Sequence, residues 1–571
     1  MSGHRVSARP VLRWLRSIRP DRRSLRADVI AGLPGAISSV PNGMASAALI
    51  GVSPIHGLYA SFAGPVAGGL ATSSQLMVIT TTSAAALAAG SALAGVDAAD
   101  RPQALILLTI IAGVAIILAG VARLGRYTRF VSHSVMTGFL TGISVNIVLS
   151  QLPGLAGANA TGELAITKAT DVVVHPTRVD LASLLAGLAA VGILFGLSRT
   201  RLSAVSALVA LVVPTVGVAL AGADKVARVE DTGQIPRGLP LPQLPDLGQV
   251  SFPLITGALA VAAIVLVQGS GVAEAAPNRD GTASDSNRDF IAQGIGNVAA
   301  GFFRGQPVGG SVGQTALNKT VGGRTRWAAI CSGLWMVAIL AALSQVIGLV
   351  AMPTLAAILV YAAVRSLRPG ALATILRTGP TSQIAVVTTF CATLFLPVSA
   401  AVGIGVSLSL LLQLNQEALD LKVVQLKPVG GGRWTEHPAP AKLPSHQATV
   451  LDVYGSLLYA GSRTLRVELP DPAGAEAPTV VLRLRGRTAV GSTFVQVVAD
   501  YAAALAAAGG RLYLSGVEPE LAELLRRTDQ VDVSGSVAVF EATELVGEST
   551  GQALREAAAW AAEHRPERPD Q

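Results

Sequence analysis

The stretch Arg304-Gly-Gln-Pro-Val-Gly-Gly-Ser-Val-Gly-Gln-Thr-Ala-Leu-Asn318 decides the fold of this chain, because it is a hydrophobic segment interrupted by Pro307, Gly309, Gly310 and Gly313. It lies among long apolar runs of membrane-spanning length. Irregular backbone at bilayer depth is tolerated only where protein buries it or water reaches it. A span interrupted by glycine and proline therefore predicts a solute cavity beside it.

Composition places the chain in a membrane. It has 571 residues, of which 51% are hydrophobic and 14% are charged, and its mean hydropathy is +0.54. A soluble protein of this length carries more charge. Apolar runs of about 17 to 25 residues, long enough to cross a hydrocarbon core roughly 30 Å thick, recur along the first two thirds of the chain. The sequence holds neither a Walker motif nor an HExxH motif, which argues against ATP-driven transport and against a membrane protease.

These runs predict fourteen spans, with residues 27–415 forming a membrane transporter domain. Their ranges are 27–46, 53–70, 75–94, 103–122, 130–150, 181–198, 203–221, 253–273, 286–303, 308–321, 327–346, 352–364, 381–396 and 398–414. Eight arginines in residues 1–26 precede the first span, so the positive-inside rule places this basic segment in the cytoplasm. Contact with anionic lipid explains it better than nucleic-acid binding. An even number of spans returns the C-terminus to the cytoplasm, and the predicted location is the plasma membrane of a bacterium.

The third span is also unusual, because Thr80, Thr81, Thr82 and Ser83 stand where a lipid-facing helix would carry Leu or Val. The third and tenth spans hold equivalent positions if the membrane region consists of two halves of seven spans each. Paired broken segments are typical of such inverted repeats. Two half-helix N-termini would then face each other at mid-membrane, and their free N–H groups and positive dipole ends suit a small anion.

A small aqueous α/β domain follows the membrane region. Residues 416–445 are rich in glycine and proline and predict a linker. Residues 446–562 alternate between short strands and helices and predict the α/β domain, and residues 563–571 form a tail. Ser492 and Thr493 open one of its helices, where N-capping is the favoured role and regulatory phosphorylation the alternative.

Several short motifs occur in a fixed order along the membrane region. They are Asp28-Val-Ile-Ala-Gly-Leu33, Pro41-Asn-Gly-Met-Ala45, His56-Gly-Leu-Tyr-Ala-Ser61, Ala71-Thr-Ser-Ser-Gln-Leu76, Asp285-Ser-Asn-Arg-Asp289, Gln293-Gly-Ile-Gly-Asn297 and Gly323-Arg-Thr-Arg326. In order and spacing they resemble the SulP, or sulfate permease, family of anion transporters. Members of that family pair fourteen membrane helices with a cytoplasmic STAS domain, and the resemblance covers nearly the whole chain.

The resemblance implies a core of spans that carries substrate by moving against a gate of other spans, usually within a homodimer. It implies a small anion as substrate, of the sulfate, bicarbonate, chloride or dicarboxylate class. It also implies a site between the third and tenth half-helices, flanked by the first and eighth spans. By position, the substrate-binding residues are then Asn42, Thr80, Thr81, Gln268, Gly310, Ser311 and Gln314.

This chain departs from the family pattern within that site. Family members often have an acidic residue at the position of Gln268 and a basic residue at the position of Gln314. Anion binding would then rest on helix dipoles, hydroxyls and the N–H groups around Gly310, each contributing roughly 0.3 to 1 kcal/mol. A carrier of the same fold for nucleobases or other uncharged solutes is therefore one alternative. A membrane-tethered STAS signalling scaffold is another, although a tether needs no cavity.

The remaining polar residues suggest a coupling ion and no cofactor. Glu274, near the inner end of the eighth span, is a candidate for proton coupling, since acids within membranes are functional candidates; the alternative is a solvated boundary residue. Sodium coupling is disfavoured because a hard cation prefers carboxylate oxygen and Gln268 offers an amide. Arg304 is predicted to anchor the outer end of the ninth span rather than to attract anions. No metal site is expected.

Overall fold

The computed structural model describes residues 20, 22–126, 132–162, 164–200, 202–232, 240–430, 433–487, 490–528 and 535–565. Most of the predicted N-terminal basic segment and of the tail lies outside these residues. The chain divides into two compact units, with the boundary after Ser409. The first unit holds the membrane helices up to Ser409, and the second holds the end of the last membrane helix and the α/β domain.

The membrane region consists of sixteen α-helices and two short strands over the described residues. In chain order they are α1 (Arg22–Ile50), α2 (Ile55–Ala71), β1 (Ile79–Thr81), α3 (Ser83–Ala92), α4 (Arg101–Val121), α5 (His133–Ala156), α6 (Ala165–Val174), α7 (Leu181–Leu197), α8 (Ser206–Leu220), α9 (Phe252–Ala275), α10 (Ser286–Phe302), β2 (Val308–Gly310), α11 (Val312–Thr320), α12 (Arg326–Gly348), α13 (Met352–Ser366), α14 (Pro369–Thr378), α15 (Pro380–Phe395) and α16 (Val398–Leu419).

Each of the fourteen predicted spans corresponds to one of these helices or half-helices. The third span is β1 followed by α3, and the tenth is β2 followed by α11, so both predicted breaks are confirmed. Helices α6 and α14 are short additions in segments that the sequence predicted as loops. Five of the described helices are long and apolar enough to cross a membrane by themselves. Several of the others are shorter apolar helices, among them α7, α8 and α15.

The membrane helices pack as a core and a gate. In the core, α10 lies against α2 and α4, α12 lies against α1 and α2, and α9 lies against α3 and α4. In the gate, α5 packs against α13 and α15, and α7 packs against α8 and α13. Spans one to four and eight to eleven thus form the core, and the remaining six form the gate. This is the predicted seven-plus-seven architecture.

The α/β domain contains a six-stranded sheet. Its strands are β3 (Lys422–Gly430), β4 (Arg433–Pro438), β5 (Ala448–Tyr454), β6 (Thr479–Arg483), β7 (Arg511–Val517) and β8 (Val537–Glu541), and its helices are α17 (Tyr459–Glu468), α18 (Ser492–Ala507), α19 (Pro519–Arg527) and α20 (Glu548–Glu563). The spatial order is β4-β3-β5-β6-β7-β8. Strands β5 to β8 are parallel, and β3 is antiparallel to both of its neighbours.

The sheet of the α/β domain is covered on both faces. Leu482 and Leu514 pack with Phe494 of α18 on one face, while Val481 and Tyr513 pack against α20 on the other. This is a small domain of the STAS type. Two of its strands, β3 and β4, lie within residues 416–445, which the sequence predicted as a linker. The paired strands therefore begin at Lys422, ahead of the predicted start at residue 446.

Candidate functional site

The two broken spans meet through a short antiparallel strand pair. Strand β1 pairs with β2, with Ile79 opposite Gly310 and Thr81 opposite Val308. The Ser311 N–H extends the pairing by donating to the Val78 carbonyl at 3.0 Å. Because each strand leads directly into a half-helix, this pairing brings the N-termini of α3 and α11 together. The sequence predicted this juxtaposition from position alone.

Both half-helices carry side-chain N-caps. The Thr82 hydroxyl accepts from the Ala85 N–H, and the Ser311 hydroxyl accepts from the Gln314 N–H. The N–H groups of the first two helical residues have no acceptor within their own helix. On α11 these two residues are Val312 and Gly313, and both are exposed. A methyl group built on Gly313 would meet nothing within 4 Å, so open space borders this helix end.

Two amide side chains of α10 hold the strand pair from the other side. The Asn297 amide donates to the Val308 carbonyl at 2.7 Å and accepts from the Val308 N–H at 2.9 Å. The Gln293 side chain accepts from the Gly310 N–H at 3.0 Å. The Gly310 N–H is therefore already paired, so substrate binding at Gly310 would not use a free N–H. The donors that remain at this site include the first-turn N–H groups of α11 and the Thr80 hydroxyl.

The sequence did not reveal this role of Gln293 and Asn297. They were noted only as parts of a motif. The sequence nevertheless contained a pattern that indicates such a role. Two amide side chains one helical turn apart in an otherwise apolar span must find hydrogen-bond partners inside the protein. Such partners are a backbone edge, another polar side chain or water.

Polar side chains of α1 complete one wall of the site. The Gln314 side-chain amide donates to the Ser38 hydroxyl at 3.1 Å. The Asn42 amide donates to the Ser38 carbonyl at 2.8 Å. Ser38 thus links two of the predicted residues, and sequence reasoning missed it although it lies one turn before Asn42. Thr80 is buried, and its hydroxyl has no hydrogen-bond partner among the described residues.

Gln268 lies at the border between this site and an apolar cavity. Its neighbours Val265 and Gly269 contact the backbone of Gly309 and Gly310. Gln268 itself lines an apolar pocket between α5, α9 and α16. Its side-chain oxygen is buried without a partner in the described part of the chain. The structure therefore places Gln268 beside the predicted site, at a boundary between core and gate.

Two aspartates hold the segments that flank the half-helices. The buried Asp289 carboxylate of α10 accepts from the Thr72 hydroxyl at 2.8 Å, the Ser73 N–H at 2.6 Å and the Ser74 hydroxyl at 2.6 Å. Asp28 of α1 accepts from the Arg324 N–H at 2.7 Å and the Thr325 hydroxyl at 2.5 Å. One aspartate thus fixes the approach to β1, and the other fixes the exit from α11.

The remaining predicted residues take no part in the strand pair. Glu274 is exposed at the next-to-last position of α9. Ser492 and Thr493 do not cap α18: the N-cap is Gly491, which offers no side chain, and Ser492 is the first helical residue. The capping prediction is wrong because the helix begins at Ser492, one residue earlier than capping by Ser492 requires. Within the described ranges, no group of three His, Cys, Asp or Glu side chains could hold a metal ion.

Known proteins share both the sequence pattern and the fold. A probable sulfate transporter from Mycobacterium tuberculosis is 31% identical over 349 residues, which is 60% of this chain and 62% of that protein. The chain thus spans about three fifths of the length of that relative. A murine Slc26a9 anion transporter in its inward-facing state has a TM-score of 0.78 at 20% identity, over 98% of this chain and 96% of that one. The transmembrane domain of a cyanobacterial bicarbonate transporter has a TM-score of 0.57 at 21% identity, over 69% of this chain and 98% of that one.

The two structural likenesses, at these identities, concern the fold alone. They agree with the fold described above. The family model is more specific, because it extends from the start of the first span to the thirteenth. That model, of the sulfate permease family, matches residues 25–389. The chain therefore belongs to the sulfate permease family, a family of transporters and not of enzymes.

Proposed function

We propose that this protein carries a small anion across the membrane by alternating access. The observation that carries the proposal is the β1–β2 pair, which brings two helix N-termini to one place inside the membrane region. The positive ends of two helix dipoles attract an anion, and the N–H groups of Val312 and Gly313 supply donors without charge. The core would move with the bound anion against the gate.

Sulfate is the first substrate to test, since relatives are named as sulfate transporters. Bicarbonate, chloride and dicarboxylates belong to the same proposal. The donors at the site are hydroxyls, amides and backbone N–H groups, as at Thr80, Ser311 and Gln314. Such donors suit oxyanions, whose several oxygens accept several hydrogen bonds at once.

An uncharged solute is the second candidate, favoured by one observation. Gln314 and Gln268 are amides, and an amide pairs as well with a nucleobase edge as with an anion.

We further propose a homodimer in a bacterial plasma membrane with both termini cytoplasmic, and coupling to protons through Glu274. Regulation through Ser492 or Thr493 in the STAS domain belongs to the same set of proposals.

Uptake into proteoliposomes tests the proposal. The purified full-length chain is reconstituted, and initial uptake of labelled sulfate, bicarbonate, fumarate and uracil is compared with empty liposomes. Uptake of an anion supports anion transport. Uptake of uracil alone supports the uncharged-solute carrier, and uptake of none of the four favours the scaffold. If the wild type is active and the Glu274→Gln variant shows the same pH dependence of uptake, proton coupling through Glu274 is excluded.

A matched pair of valine variants locates the site. Thr80→Val removes a buried hydroxyl that has no partner among the described residues, so the fold loses little. Loss of one hydrogen bond to substrate should raise KM about three- to tenfold. Thr320→Val, at the other and exposed end of α11, should leave uptake unchanged. If both variants had the same KM, the substrate site would not lie at β1.

A further inference from the structure

A group of buried polar side chains lies where α10 ends and the chain turns back toward β2. Five of their atoms are buried without a hydrogen-bond partner in the described part of the chain: the hydroxyls of Ser53 and Tyr59, Nε of Arg304, and both polar atoms of the Gln306 side chain. Gln306 and Tyr59 are almost fully buried. Leaving such a group unpaired is unfavourable, because it has given up its hydrogen bonds to water. The structure thus has unpaired polar groups for which water or a ligand is the natural partner.

Backbone contacts fix this group in place. The Gln306 N–H donates to the His56 carbonyl at 3.4 Å, and the His56 Nδ1 lies 2.5 Å from the Arg304 carbonyl. A methyl group built on Gly305 would come within 2.7 Å of the Ala60 nitrogen, so this segment lies directly against α2. Arg304 adopts a φ of +59°, a left-handed conformation that is uncommon outside glycine. These contacts pin residues 304–306 to the first turns of α2.

The charge of this group favours an anion. The Arg304 guanidinium forms no ion pair with any carboxylate of the described residues. It is close enough to act electrostatically on both His56 and Tyr59. Arg304 Nε, the Tyr59 hydroxyl and the Gln306 amide all donate hydrogen bonds. A partly buried cation among neutral donors, with no ion-pair partner among the described residues, is an environment suited to an oxyanion.

We propose that Tyr59, Arg304 and Gln306 form a second anion subsite, which the substrate occupies before or after the site at α11. Gln306 precedes Ser311 by five residues, so the two sites are at most about 17 Å apart along extended chain. In the proposed topology this subsite is on the extracellular side. An anchor at a helix end would extend its whole head group into water, whereas Arg304 Nε is buried. The passage of one anion through both sites rests on the proposed function, but binding at the subsite does not.

Chemical protection tests the subsite without transport. The purified full-length chain is treated with phenylglyoxal, which modifies free guanidinium groups, and modification of Arg304 is quantified by mass spectrometry with and without sodium sulfate. Sulfate should slow modification of Arg304 at least about threefold and leave that of the exposed Arg279 unchanged. Gln306→Leu, which removes two unpaired polar atoms at similar volume, should weaken that protection. Equal modification of Arg304 with and without sulfate, bicarbonate and chloride would overturn the subsite.

Kinetics provide the second readout. Arg304→Asn removes the charge and keeps a residue that tolerates the left-handed conformation, while Arg304→Lys keeps the charge. We expect Arg304→Asn, Tyr59→Phe and Gln306→Leu to raise KM for the transported anion about three- to tenfold with kcat nearly unchanged. Arg304→Lys should restore part of the affinity, and Arg279→Asn should behave as wild type. A loss of kcat at constant KM in all three variants would indicate a structural role and overturn the subsite.

The two readouts separate the two proposals. If the wild type transports none of the tested anions but sulfate still protects Arg304, the proposed function fails and the subsite remains. If the wild type transports an anion, while protection is absent and KM is unchanged in all three variants, the subsite fails and the proposed function remains.

Discussion

At the residue scale, amide side chains of α10 take the place of a missing strand. A two-stranded sheet has two open edges, and open edges do not occur in the lipid phase of a membrane. The second edge of β2 is closed by Asn297 and Gln293, which bond to Val308 and Gly310. The site therefore depends on α10 as much as on the half-helices that face the substrate.

Asn297→Leu should destabilise the core and abolish uptake. The change leaves the Val308 N–H and carbonyl buried without their present partner, at about 1 to 3 kcal/mol for each group. Thermal unfolding in detergent should show a lower Tm than wild type. Asn415→Leu, exposed on α16, is the matched control and should not lower Tm. An Asn297→Leu protein with wild-type Tm and uptake would show that the side chain does not brace β2.

Gln314→Glu should discriminate between charged and uncharged substrates. The variant nearly keeps the shape of the side chain and places a carboxylate in the first turn of α11, where the helix dipole stabilises it. Repulsion should lower initial anion uptake at least about tenfold, since two like charges about 4 Å apart interact by about 4 kcal/mol near a protein surface. Gln383→Glu, in the exposed first turn of α15, is the control. Undiminished sulfate uptake by Gln314→Glu would exclude Gln314 from an anion site.

At the element scale, glycines set how closely the core helices approach. A methyl group built on Gly57 of α2 would come within 1.8 Å of the Gly43 carbonyl of α1. Close backbone contact of this kind is how small residues pair helices within membranes. The position of α2 in turn fixes His56, whose carbonyl receives the Gln306 N–H. The position of the segment that leads into β2 therefore depends on the spacing between α1 and α2.

Gly57→Ala should prevent α1 and α2 from packing. The added methyl group meets backbone rather than a flexible side chain, so the cost should exceed the 1 to 3 kcal/mol typical of overpacking. We expect a broad or early elution from size-exclusion chromatography and a lower Tm. Gly192→Ala, in α7, adds the same group to open space and should be neutral or stabilising. Equal Tm values for the two variants would contradict the close contact between α1 and α2 at Gly57.

Apolar length allowed the spans to be predicted from sequence. The half-helix of the tenth span was predicted from its Gly/Pro break, and that of the third from its hydroxyl-bearing residues and its equivalent position. Contacts made by amides were not predictable, because Gln293 and Asn297 bond to residues eleven or more positions away in the chain. Strands β3 and β4 escaped prediction because their glycines and prolines are typical of a linker, whereas pairing with β5 makes them strands. The Ser311 cap lay within the quoted stretch 304–318. The bond from the Gln314 amide to Ser38 of α1 could be seen only in the fold.

At the scale of the whole molecule, the proposed topology predicts which loops face each side of the membrane. In a background without Cys331 and Cys391, a membrane-impermeant maleimide should label Thr170→Cys in intact cells, since residue 170 is exposed in the predicted outer loop. Arg279→Cys, exposed after α9, should react only after permeabilisation. The opposite labelling pattern would show that the topology is inverted, with both termini outside.

The β1–β2 pair also has a consequence for synthesis of the protein. Its two strands come from distant parts of the chain, and Val78 and Thr315 beside them are 237 residues apart. A ribosome therefore completes β1 long before β2 exists. During that interval the backbone N–H and carbonyl groups of Ile79–Thr81 lack their partner strand, and they cannot lie in the hydrocarbon core of the membrane unpaired. The nascent first half must keep this segment in water or against another protein, such as the insertion machinery, until the tenth span arrives.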